Sequence, residues 1–192
     1  MAATVHRLKI TLRSIRPPIW RRVEVDSTLK LYELSAVLEA AIGWLGGHLH
    51  AYEADGVTYE LPGEDSSFRR PTVDERKARL NKVLPHVGAK MRFDYDFGDG
   101  WSHDIIVEAV EPAHADIDYP QCLSGKRACP PDDCGGPWGY SELLDILANP
   151  KHPEYAERLE WLGGSYNPEA FDANETTETM RGAEPWDPEF DY

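Results

Sequence analysis

Cysteine is scarce. The 192-residue chain has three, all between positions 122 and 134, so they cannot pair completely within the chain. That excludes a disulfide scaffold and suits a reducing compartment, with thiol or metal chemistry. Long apolar runs are missing as well. No stretch approaches the roughly 18 residues of a spanning helix, and mean hydropathy is −0.53, which excludes an α-helical membrane protein. Met1-Ala2-Ala3-Thr4-Val5-His6-Arg7 lacks the apolar core of a secretion signal, so a cytoplasmic location is expected, with no membrane partner. The chain carries no G-x-x-x-x-G-K-[ST], no G-x-G-x-x-G, no H-E-x-x-H and no G-x-S-x-G. Phosphate-cradling loops, zinc-protease helices and serine-hydrolase elbows therefore have no anchor.

Basic residues are rare in the second half. Net charge is +4 through Arg92 and −18 beyond it, for −14 in all, which disfavours bulk attraction to DNA or anionic membrane. The first 22 residues hold six Arg or Lys and no acid. Basic N-terminal strands lying against the acidic later ones would neutralise both, placing Arg21 and Arg22 beside carboxylates.

With 41% hydrophobic and 28% charged residues, the chain is globular and long enough to bury its own core. Residues 5–14 alternate, Leu8, Ile10 and Leu12 against Arg7, Lys9 and Thr11, which predicts a half-buried strand. Pro17-Pro18 interrupts it, and a second strand follows over residues 19–25. A helix over residues 29–42 is capped by Ser27 or Thr28 and stopped by Gly43. Residues 48–53 and 57–61 form a hairpin around Asp55-Gly56, and 90–97 and 101–110 are strands joined through Gly98-Asp99-Gly100. Residues 62–75 and 120–138 read as loops, 76–84 as a short helix or turn, 139–148 (capped by Ser141) and 154–162 as helices. The fold class is α+β, a mostly antiparallel sheet packed against a few helices in one domain over residues 4–172, with an acidic, weakly patterned tail at 173–192. Trp20, Trp44, Phe97, Trp101 and Trp138 are expected core anchors.

Four segments carry a resemblance. They are Arg16-Pro17-Pro18-Ile19-Trp20-Arg21-Arg22, Gly43-Trp44 with His48-Leu49-His50, Tyr95-Asp96-Phe97-Gly98-Asp99-Gly100-Trp101-Ser102-His103, and Cys129-Pro130-Pro131-Asp132-Asp133-Cys134-Gly135-Gly136-Pro137-Trp138-Gly139-Tyr140. In order and content they resemble the plasmid pRiA4b ORF-3-like family over residues 5–172. The resemblance implies a compact α+β bacterial domain associated with plasmids and mobile elements, and no established reaction.

Three groups of residues bear on chemistry. Cys122, Cys129 and Cys134 lie on a loop punctuated by Pro and Gly and would hold Zn if a fourth ligand joined them. His103 is the first choice, with His114, His48 and His50 behind it; otherwise they are small structural thiols. Asp94, Asp96, Asp99, His103 and Asp104 fall within eleven positions. Asp96, Asp99 and His103 are candidate catalytic residues, able to hold Mg²⁺ or Mn²⁺ and activate water. The same acids serve equally as turn formers and solvated charges. Arg16, Trp20, Arg21, Arg22 and Trp44 are a candidate nucleic-acid surface, arginines for phosphates and tryptophans for bases. If those tryptophans are core, the arginines pair internally. The leading reading is an accessory or interaction domain with a protein or nucleic-acid partner. Its alternatives are a metal-dependent phosphoester or nucleic-acid hydrolase and a single-stranded nucleic-acid-binding module.

Overall fold

The structure, a computed structural model, describes residues 3–44, 46–62 and 72–186. The N-terminal alternation is realised as β1 (Thr4–Leu12), with Leu8, Ile10 and Leu12 buried and Arg7, Lys9 and Thr11 on the other face. In chain order there follow β2 (Trp20–Asp26), α1 (Leu31–Ile42), β3 (His50–Ala54), β4 (Val57–Glu60) and β5 (Thr72–Asp74). A 3₁₀ turn (Glu75–Lys77) and α2 (Leu80–Val83) lead to β6 (Lys90–Tyr95), β7 (Trp101–Pro112) and β8 (Gln121–Lys126). The helices α3 (Gly136–Leu147), α4 (Tyr155–Trp161) and α5 (Ala173–Gly182) close the described chain. One eight-stranded sheet runs β5-β4-β3-β6-β7-β1-β2-β8, antiparallel throughout except for the parallel pair β4 and β5. The fold is α+β, and no described helix is long and apolar enough to cross a membrane.

α1 begins at Leu31 rather than residue 29, and neither Ser27 nor Thr28 caps it. Instead the Glu33 carboxylate accepts from the Lys30 backbone N–H at 2.8 Å, occupying a free donor of the first turn. Its last two turns are buried all round, and Tyr52 Oη donates to Leu31 O at 2.8 Å, tying helix to sheet. Beneath it lies an aromatic slab of Trp44, Tyr52, Phe93, Tyr95 and Trp101, each no more than 2% exposed.

Four expectations need correction. Residues 121–126, inside the expected 120–138 loop, form the edge strand β8, paired with β2 through a bulge between Arg22 and Val23. The tail from residue 173 opens with α5, which Asp172 caps by accepting from the N–H groups of Asn174 and Glu175. Thr177 and Met180, three apart, turn that helix's narrow buried stripe inward. Of the expected 62–75 loop, residues 63–71 lie outside the described residues; 72–74 are β5, and Glu75 is fully buried. Phe97 and Trp138 are 54% and 88% exposed, because one sits in the β6–β7 turn and the other on the outer side of α3's first turn.

The sheet face away from the aromatic slab carries the expected neutralisation. Arg22 grips Glu108 with two hydrogen bonds, 2.5 and 2.9 Å, Arg7 bridges Glu24 and Glu111, and Arg92 bridges Glu53 and Asp94. Arg21 departs from the expectation, as described below. The hydrogen bond from Arg22 holds the Glu108 carboxyl below the usual carboxylate range. A depressed folded pKa adds stability above the unfolded value and loses it as pH falls through the folded one. At neutral pH, Glu108→Gln is therefore expected to cost up to about 1 kcal/mol, since the pair is part-exposed. In denaturant melts the gap from the parent should close below the ordinary carboxylate range; a gap independent of pH would show a packing effect instead.

Candidate functional site

All four segments that carry the family pattern meet at one end of the sheet. α1 stops at Gly43, whose φ of +126° disfavours a side chain. A Cβ there would lie 2.8 Å from Cys129 Cβ, so the helix end and the cysteine loop are in contact. Arg21 locks this junction from below. Its guanidinium is buried and donates to four backbone carbonyls: Ala41 at 2.8 Å, Ile42 at 3.0 Å, Trp20 at 2.9 Å and Lys126 at 3.0 Å. The first two are carbonyls left open at the C-terminus of α1, where a cation is favoured. The Phe171 ring covers the guanidinium at 4.5 Å.

After Gly43 the chain sends Trp44 into the core, 2% exposed, where it stacks on Tyr95 with centroids 5.0 Å apart. His48 then lies in the loop before β3, edge-on to Tyr95 at 5.7 Å. The β6–β7 turn is held by Asp96, whose Oδ1 accepts from the N–H of Gly98 at 2.9 Å and of Asp99 at 3.3 Å. Asp99 in turn accepts from Gly135 N–H at 3.2 Å. The loop comes so close that a Cβ on Gly136 would sit 2.2 Å from the Asp99 carbonyl oxygen; glycine is required there.

This docking brings His48, Asp96 and Asp133 together. One ligand atom from each lies within 4.8 Å of the others, and among the described residues this is the only such group of three or more His, Cys, Asp or Glu. His48 Nδ1 is 3.9 Å from Asp96 Oδ1. Asp96 and Asp133 both have left-handed backbones, φ +51° and +55°, which Asp tolerates better than most residues. Asp132 lies in the same field. Burial pushes its carboxyl above the usual range; His48 opposes this, and Asp133, Asp96 and Asp99 add to it. The Tyr95 hydroxyl is buried, feels Asp132 and Asp96, and has no hydrogen-bond partner among the described residues. Behind Asp133 a cleft of about 130 Å³ is lined by Arg158 and Trp161, with Cys134, Gly139 and Glu142.

The other candidate residues are placed elsewhere. His103 is not with Asp96 and Asp99: strand alternation turns it under the sheet while Ser102 and Asp104 face outward. It is fully buried between Trp44 and Phe93, its Nδ1–H donating to Phe93 O, and burial pushes its pKa down to about 4. Nor do Cys122, Cys129 and Cys134 gather with His103 around a common point. Cys122 is fixed on β8, where its N–H donates to Thr177, Cys129 packs on Gly43, and Cys134 precedes α3. Burial raises all three thiols, Cys134 to about 12 with Asp99 adding to the effect. That keeps them protonated and opposes a thiolate nucleophile. The proposed nucleic-acid surface is dispersed too: Trp44 and Arg21 are buried, Arg22 is paired with Glu108, and only Arg16 is exposed, with Trp20 half-buried.

Sequence reading missed a further group, and this one is buried. His50 Nε2–H donates to both Glu75 oxygens at 3.1 Å, and Nδ1 faces Glu39 Oε1 at 3.5 Å. Glu39 has a visible signal, the single acid in the apolar run Ala36-Val37-Leu38-Glu39-Ala40-Ala41-Ile42. Glu75 has none, lying in a polar stretch that reads as surface. His48 and His50, both inside the expected strand over residues 48–53, belong to these two separate groups, and β3 starts only at His50.

The family model for plasmid pRiA4b ORF-3-like proteins matches residues 4–175. The chain belongs to this family. A curated relative, Uncharacterized protein y4hQ of Sinorhizobium fredii (strain NBRC 101917 / NGR234), is 42% identical over 166 residues, covering 86% of this chain and 84% of its own. Among solved structures, the protein of unknown function MM3350 from Methanosarcina mazei Go1 has a TM-score of 0.82 at 33% identity, covering 91% of this chain and 98% of that one. This plasmid pRiA4b ORF-3-like chain therefore shares its family and fold with proteins to which no reaction is attached.

Proposed function

We propose that this domain binds a divalent cation through His48, Asp96 and Asp133 and uses it to hydrolyse a phosphoester. The observation that carries the reading is the convergence of those three donors from three separate segments. Several carboxylates around one imidazole leave surplus negative charge, which a cation would balance. A mainly oxygen donor set suits Mg²⁺ or Mn²⁺. The bound cation would lower the pKa of a coordinated water. Asp132, with its raised carboxyl pKa, is suited to take the proton as the water oxygen attacks phosphorus and the ester P–O bond breaks; the departing ester oxygen takes up a proton from solvent and leaves as the alcohol. The buried Tyr95 hydroxyl would donate to an oxygen in the site. Arg158 and Trp161, lining the cleft behind Asp133, supply a guanidinium for a phosphate oxygen and an indole for an adjoining ring.

Isothermal titration of metal-free protein with MnCl₂, paired with Mn²⁺-dependent hydrolysis of bis(p-nitrophenyl) phosphate, tests this. One-to-one binding and turnover, both lost in His48→Ala, are expected. Binding without turnover would leave a cation site and reject the hydrolase; no binding would reject both.

The exposed rings of Phe97, Trp138 and Trp161 favour a second reading, an interaction module that docks a protein partner through them. Under that reading, partner binding would survive His48→Ala and fail in Trp138→Ala.

A further inference from the structure

The Glu39–His50–Glu75 group is too deeply set and too ordered for a casual surface contact: the three residues are 5%, 6% and 0% exposed. Glu75 accepts from His50 Nε2–H, and Nδ1 on the other side of the ring faces Glu39. The two carboxylates stand on opposite sides of the imidazole. They do not converge on a common point, so the group is no cation cage of the His48 kind. It is a line, and one end of that line is open. Glu39 borders a cleft of about 220 Å³ between α1 and the end of α5, walled by Ala36, Ala40, Trp44, Gly46, Thr179 and Ala183. A Cβ on Gly46 would come 3.3 Å from Glu39 Oε2, so glycine there lets the backbone lie close to the carboxylate. The only charged residues lining the cleft among those described are Glu39 and Glu184.

We propose that this cleft binds a small organic ammonium ion, which donates N–H hydrogen bonds to Glu39 and lies against the Trp44 indole. The chemistry of the walls selects it. Two carboxylates repel anions, and the buried group has one more acid than it has imidazoles, a surplus that a cation offsets. Small methyl-bearing walls accept the alkyl part, and the Trp44 indole lines the same cleft. The volume holds a ligand of a few heavy atoms rather than a polymer. Burial pushes the Glu39 carboxyl up to about 7; His50 opposes the shift and Glu75 adds to it. The groups facing Glu39 are His50 from β3, Glu75 from the 3₁₀ turn, Tyr95 from β6 and Glu184 from beyond α5. The ammonium binds the ionised form, so its affinity is expected to rise about tenfold per pH unit up to about 7 and then level off.

The test is an NMR titration of the full chain in metal-free buffer with n-butylammonium chloride, following the Trp44 indole N–H and the Gly46 amide. Sodium butyrate and n-butanol serve as anionic and neutral matches of the same length. Saturable shifts with n-butylammonium alone, following that pH profile, are expected. They should vanish in Glu39→Gln and in Gly182→Leu. Gly182 lines the cleft, and an added Cβ there meets nothing within 4 Å, so a bulkier side chain can be placed at the cleft wall without a clash at Cβ. No saturable shift in the parent at concentrations on the order of 10 mM, well above a 1 mM Kd, would overturn the proposal. So would an equal response to n-butanol, or full binding by a folded Glu39→Gln protein. The cleft is not lined by His48, Asp96 or Asp133, so a folded His48→Ala protein should still bind n-butylammonium saturably.

Discussion

Trp101→Ala is expected to cost about 3–5 kcal/mol of unfolding free energy, the range for truncating a fully buried aromatic. Trp101 is 1% exposed at the start of β7 and lies 5.5 Å, centroid to centroid, from Trp44, which in turn stacks on Tyr95 and meets the edge of His103. Removing it leaves a cavity under the candidate site rather than at the rim of the fold. Close-packed neighbours cannot relax fully into such a space, so both the lost burial and the void count against the folded state. The matched control is Trp138→Ala. With 88% of that residue exposed, its loss should change stability by no more than about 0.5 kcal/mol. Urea melts of the two variants decide the matter. A Trp101→Ala protein that unfolds at the parent's midpoint would remove that ring from the core and contradict the packing described.

Asp96→Asn is expected to weaken Mn²⁺ binding by about 100-fold while leaving the fold intact. Asp96 does two jobs: Oδ1 receives the N–H groups of Gly98 and Asp99, and the carboxylate faces His48 and Asp133. Asparagine keeps an oxygen for the turn but removes the charge that a cation needs, and even outer-shell changes at metal sites cost 10–100-fold. Binding should also depend on pH in a defined direction. Because the Asp132 carboxyl is held above the usual range, protons compete longer with the cation, and affinity should fall as pH drops toward that range. Asp132→Asn should flatten this dependence. Asp96→Asn protein with unchanged Mn²⁺ affinity, at a turn that still forms, would place the cation elsewhere.

The sheet was largely legible because period-two alternation is a strong signal. Leu8, Ile10 and Leu12 occupy the face their spacing assigns. β8 was not, since it is a short bulged edge strand inside a Pro- and Gly-rich stretch whose composition reads as loop. α5 was hidden for a different reason. It buries only Thr177 and Met180, too narrow a stripe to stand out from an acidic segment, and docking on α1 and β8 supplies what periodicity lacks. At the site, Asp96 and Asp99 were visible as turn acids and His48 as half of a His-x-His pair. Their partner Asp133 was visible only as part of the family pattern, because nothing local says that residue 133 folds back onto residue 96. Glycine supplies the missing link: Gly136 permits an approach to the Asp99 backbone that any side chain would block. His103 and the three cysteines were grouped on sequence spacing alone. Strand alternation and burial then send them to different places.

The most direct measurement is anomalous diffraction from crystals of the full chain grown or soaked with MnCl₂. The expected result is one strong manganese peak at bonding distance, roughly 2.0–2.6 Å, from a ring nitrogen of His48 and carboxylate oxygens of Asp96 and Asp133. A peak elsewhere on the surface, or none at these three residues at saturating Mn²⁺, would contradict the claim that the family's segments converge to build a cation site.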